Sequence, residues 1–129
     1  MGISIKGVIV GYLACLLSSL IMGIALGYTL AATVGPENAR QLITPPSFPI
    51  LMGSMITSTL GGYVAARVAG GGELLNGALA ILLGGTVAAM LAGVDSSDAV
   101  IQTIIQIGVL PLFGLFGGYI RLRQVVERA

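Results

Sequence analysis

Two glutamines one helical turn apart, Gln102 and Gln106, are the side chains best placed for chemistry inside an apolar segment of this chain. A carboxamide in hydrocarbon must find a hydrogen-bond partner, so the face carrying them is expected to point into protein or a wet cavity. With Thr57, Ser58 or Asn76 opposite, they would line a polar track for a small neutral solute. The same groups would also serve as plain interhelical hydrogen bonds, worth about 0.6 kcal/mol or somewhat more each. A second candidate is Arg67 with Glu73, which flank Gly70-Gly71-Gly72 and are expected to pair at the rim. Such a pair would act as a gate or docking point, or steady the turn by at most about 1 kcal/mol.

Catalysis finds no support among the remaining polar residues. Ser18, Ser19 and Thr57 to Thr59 offer hydroxyls, but there is no His, and no Lys or carboxylate stands inside an apolar segment to activate one. The absence of His and the single Cys exclude imidazole-ligated haem, a structural zinc site and an intrachain disulfide. No enzyme activity, metal or cofactor is expected. Cys15 reads as a packing residue, and Gly70-Gly71-Gly72 lacks the Lys and Ser or Thr of a phosphate loop. Glu37, Glu73, Asp95, Asp98 and Glu127 all fall at loops or ends, whereas a proton-coupled pump ordinarily needs an ionisable group at membrane depth. The net charge is only +1 and the six basic residues are scattered, which excludes a nucleic-acid partner.

The elements that must hold these groups are transmembrane helices. Of 129 residues, 56% are apolar and 9% charged, against about 25% charged in soluble domains, and the mean hydropathy is +1.02. Val8 to Leu30 carries no charge and is long enough as a helix to cross a bilayer core of about 30 Å. It is too long for a signal-peptide core of about 7 to 15 residues, so it is expected to stay on the protein. Four spans are expected, at about 7–34, 48–69, 74–94 and 99–120, forming an all-α bundle in one membrane domain. The loop 35–47 holds a short interfacial helix opening at Pro36 and Glu37 and closed by Pro45, Pro46 and Pro49. Asp95 or Ser96 is expected to cap the fourth helix, and Pro111 to kink it by leaving the carbonyl near Ile107 without its donor.

Small residues recur at every fourth position: Gly7, Gly11, Cys15, Ser19, Gly23, Gly27, Ala31 and Gly35 in the first span. In lipid, where packing rather than water exclusion holds helices together, such rows let backbones approach closely. The second span has two such rows, containing Gly53, Thr57 and Gly61 and, beside them, Gly62; the third carries Asn76 and Gly84. Steps of four residues advance about 40° past a full turn, so the long row winds round its helix. Gly7, Gly11 and Cys15 are expected to meet one neighbour and Gly23, Gly27 and Ala31 another.

Lys6, Arg67, Arg121, Arg123 and Arg128 fall on one side of this layout and Arg40 alone on the other, so both termini are expected in the cytoplasm. The stretch Gly61-Gly62-Tyr63-Val64-Ala65-Ala66-Arg67-Val68-Ala69-Gly70, with Glu73-Leu74-Leu75-Asn76-Gly77-Ala78-Leu79-Ala80, resembles a hairpin of small four-span bacterial membrane proteins of the YrzE-like type. That family pattern has His or a similar polar residue where this chain has Asn76. The resemblance implies a bacterial inner-membrane location and supplies no activity. The expected function is non-enzymatic: an accessory or scaffolding subunit that packs against its own copies or other membrane-protein subunits within the lipid. The alternative is a channel or carrier for a small neutral solute.

Overall fold

Helices form along the apolar runs, Gly-Gly pairs included, and they turn at glycines that take positive φ. The computed structural model describes residues 2–43, 48–93 and 97–129. Within them lie α1 (Ile5–Val34), α2 (Pro36–Ile43), α3 (Phe48–Ala69), α4 (Glu73–Ala92), α5 (Ser97–Ile104), a π-helical turn (Ile105–Val109) and α6 (Leu110–Arg128). Ser4, in extended conformation, caps α1 by accepting a hydrogen bond from the Gly7 N–H at 3.1 Å. Gly35 ends α1 at a φ of +87°, a conformation that strains any residue with a Cβ, and Pro36 opens α2. Pro49, expected to help end α2, instead occupies the first turn of α3, where its missing N–H leaves no gap. Pro45, Pro46, Asp95 and Ser96 lie outside the described residues.

Among the described residues four helical stretches are long and apolar enough to cross a membrane: Ile5–Val34, Phe48–Ala69, Glu73–Leu91 and the joined Ala99–Arg128. The last runs past the expected end near residue 120, because Arg121 to Arg128 contains no Gly or Pro to stop it. Pro111 does not simply break this helix. The wide turn before it shifts the register, so that the N–H of Leu110 bonds the carbonyl of Ile105, one residue further back than in an α-helix.

α3 and α4 stand in the middle, with α1 packed against both on one side and α6 against both on the other; α1 and α6 do not touch. Among the described residues α5 touches only α4 and the π-helical turn. Both chain ends share one pole of the bundle with the α3–α4 turn. The Ser4 N–H donates to Asn76 Oδ1 at 2.7 Å, and the Tyr63 hydroxyl donates to Gln124 Oε1 at 2.8 Å. The pole with both termini is the terminal half; the other, with α2 and α5, is the loop half.

The terminal half is closed by glycine. A Cβ on Gly7 would lie 2.8 Å from the Ala65 carbonyl oxygen, and one on Gly11 would strike the Ala65 methyl. Gly61 meets α1 at Gly11 and Cys15, while its neighbour Gly62 lies directly on the Gly114 carbonyl of α6. Successive residues point about 100° apart on a helix, so one Gly-Gly pair serves two neighbours. α6 repeats the device: Gly117 abuts the Thr59 carbonyl of α3, and Gly118 the Glu73 carbonyl of α4. Ala65, Ala66 and Ala80 are wholly buried, and the largest fully buried side chain is that of Asn76. This core consists of backbones in contact rather than interleaved large side chains.

Candidate functional site

Towards the loop half the same four walls separate. A partly open cavity of about 310 Å³ lies between them, at the lower end of the range of about 300–1,000 Å³ usual for ligand pockets. α1 contributes Tyr12, Cys15 and Ser19; α3 contributes Ser54, Thr57 and Ser58; Gln102 and Gln106 come from α5 and the π-helical turn. Ile81 and Leu110, both buried, also line it. Ile81 fills the space left by two glycines: Cβ atoms on Gly61 and Gly114 would lie 3.1 Å and 2.5 Å from its side chain. It therefore stands where the glycine contacts end and the hollow begins.

The polar lining carries no charge, and its hydroxyls are partly committed. Ser19 Oγ donates to Thr57 Oγ1 at 3.1 Å, and Thr57 Oγ1 donates to the Ser54 carbonyl at 3.1 Å. Other hydroxyls bond within their own helix, as Ser18 does to the Ala14 carbonyl at 2.8 Å. Neither Gln102 nor Gln106 has a protein partner for its side-chain amide among the described residues. Among the described residues no polar side-chain atom is sealed away without a partner, so both amides reach open space.

The π-helical turn positions Gln106. Pro111 has no N–H to offer the carbonyls behind it, and the Gln106 carbonyl is turned onto α4, where a Cβ on Gly85 would lie 2.5 Å from its oxygen. Gly85 thus lets the turn seat closely on α4 and aims the Gln106 side chain inward. Gly84, one residue away, makes room for the Tyr12 ring, whose nearest atom would be 3.0 Å from a Cβ there.

Asn76 is not part of this lining. Its amide nitrogen donates to the carbonyls of Gly71 and Gly72 at 3.0 Å each and of Gly2 at 3.3 Å, while its oxygen accepts from Ser4. Asn76 is therefore a clasp joining the start of the chain to the α3–α4 turn, which reverses tightly because Gly70 and Gly72 take positive φ. The expected rim pair also fails to form: Arg67 is exposed and makes no ion pair with Glu73. Arg123 Nε pairs instead with Glu127 Oε1 at 2.8 Å, one turn on along the same helix.

The long row of α1 divides in two. Gly7, Gly11, Cys15 and Ser19 meet α3, whereas Gly23 and Gly27 have no atom of another element within 4 Å of a built Cβ. Gly23 and Gly53 border a cleft of about 170 Å³ between α1 and α3, and Met22 lies 3.3 Å from a Cβ built on Gly53. Comparison with protein-family models, curated proteins and solved structures finds no match to this chain. What the chain does must therefore follow from its geometry.

Proposed function

We propose that the chain is a non-enzymatic, multi-pass protein of the bacterial inner membrane, with both termini cytoplasmic. It acts by helix packing, as an accessory or scaffolding subunit of a homo-oligomer or larger membrane complex. The observation that carries this reading is the unopposed part of α1. Gly23 and Gly27 continue the row that packs tightly at Gly7 and Gly11, yet among the described residues no atom of another helix comes within 4 Å of a Cβ built on either, and Gly23 borders only the open cleft beside α3. A glycine inside a helix costs about 0.8–1.0 kcal/mol relative to alanine, and in lipid that cost is offset when a second backbone comes close. A partner helix seated on Gly23, Gly27 and Ala31 supplies that contact. Gly23→Leu with Gly27→Leu is expected to lower the native mass of the gently solubilised particle, read by mass photometry; an unchanged mass contradicts the reading.

One observation favours a second reading, a channel or carrier for a small neutral solute. The cavity holds two amides without protein partners among the described residues, and closely packed glycines close the bundle beyond it. The five basic residues gathered at the terminal pole support the orientation. A reporter active only in the cytoplasm, fused after Ala129, is expected to be active; an inactive reporter reverses the topology.

A further inference from the structure

We propose that the cavity is a binding site for a small uncharged amide, urea included, with Gln102 and Gln106 as the residues that determine its specificity. The proposal rests on the solute reading, but binding and flux are separate measurements. The argument begins with inventory. Each glutamine amide offers two N–H donors and a carbonyl acceptor in one plane, and both are without a partner among the described residues. In a bilayer core each unsatisfied polar group is costly, so two such groups one turn apart call for an occupant that both donates and accepts. An anion or cation finds no counter-charge in this lining and would lose its hydration. A carboxamide or urea pairs with a glutamine amide through two antiparallel, coplanar N–H···O=C bonds, a fixed donor–acceptor geometry that an alcohol hydroxyl lacks. The hydroxyls of Ser54 and Ser58 stand among the lining residues contributed by α3.

Among the described residues, the wall that carries the glutamines has few neighbours. α5 touches only α4 and the π-helical turn, and a Cβ built on Gly108 within that turn meets nothing within 4 Å.

The only cysteine of the chain lines the cavity and reports on its occupancy. The experiment is the alkylation rate of Cys15 by N-ethylmaleimide in the full chain in nanodiscs, with acetamide or urea as probe and glycerol or sodium acetate as control. The expected result is at least threefold slowing by saturating acetamide and none by acetate or glycerol. Gln102→Leu with Gln106→Leu should abolish the protection while leaving the rate without solute within twofold. Should that pair fail to fold, Gln102→Met alone carries the same comparison. Equal slowing by glycerol or acetate, no slowing by any amide, or protection that survives loss of the glutamines overturns the proposal. So does a cavity in which neither Cys15 nor a second reporter, Ser54→Cys in a Cys15→Ser background, reacts at all. Stopped-flow light scattering of proteoliposomes in acetamide separates the two ideas. Protection without flux sinks the channel or carrier and leaves the site; flux without protection does the reverse.

Discussion

The two halves of this bundle are built from similar residues and end in opposite states. In the terminal half, glycine rows on different helices face one another, and four backbones close on a plane of carbonyls, Cα atoms and small methyl groups. In the loop half, the first-span row continues at the same spacing but meets no close contact from another helix among the described residues, and the space at the centre is a largely apolar hollow with a few uncharged polar side chains. A small residue is therefore only a permission to approach. Whether backbones meet depends on a second small residue at the same height on the neighbouring helix, as Gly62 meets Gly114 and Gly11 meets Ala65.

Substitutions that probe this contrast should rank in a definite order. Gly117→Leu forces a side chain onto the Thr59 carbonyl, where nothing flexible can give way, and is expected to cost about 3 kcal/mol or more, seen as loss of the folded protein in a detergent unfolding titration. Asn76→Ala leaves one N–H and up to three carbonyls of the clasp without this partner. It should cost roughly 2–3 kcal/mol and speed hydrogen exchange at Ser4. Gln102→Leu with Gln106→Leu exchanges partnerless amides for similar apolar volume, so stability should change by less than about 1 kcal/mol, with the native mass unchanged and solute flux lost. Gly27→Leu should shift the stability of the isolated chain least, within about 0.5 kcal/mol as an unopposed surface change, and yet disperse the assembly. Equal costs for Gly117→Leu and Gly27→Leu would erase the distinction between the halves.

Much of the architecture was legible in the sequence, because uncharged runs long enough to cross a bilayer and spacings of four report directly on helix length and face. The four long helices and the all-helical fold follow from those two signals. Which end of the first-span row would be used was not legible, since pairing depends on the height of small residues on another helix. Asn76 lies in line with Ala80 and Gly84 and so reads as part of a helix face. Only the reversal at Gly70–Gly72 brings backbone carbonyls round to its amide. Ser4, a serine just before the apolar run, carried a capping signal that went unused. Gln102 and Gln106 were legible as a polar face, and Thr57 joins them at the cavity. Their separation from one another's helix partners depends on the π-helical turn, which Pro111 announces only as a disturbance, not as a shift of register.

The most direct test uses one helix, one row and one added methyl group: the unfolding free energies of Gly11→Ala and Gly27→Ala, measured side by side in the same detergent. A Cβ on Gly11 would strike Ala65 and lie 2.8 Å from the Gly61 carbonyl oxygen, while one on Gly27 meets nothing. Gly11→Ala is predicted to destabilise by about 1–3 kcal/mol, and Gly27→Ala to be neutral or to stabilise by up to about 1 kcal/mol through helix propensity. Equal effects at the two positions, or a larger loss at Gly27, would contradict the division of this bundle into a closed half and an open one.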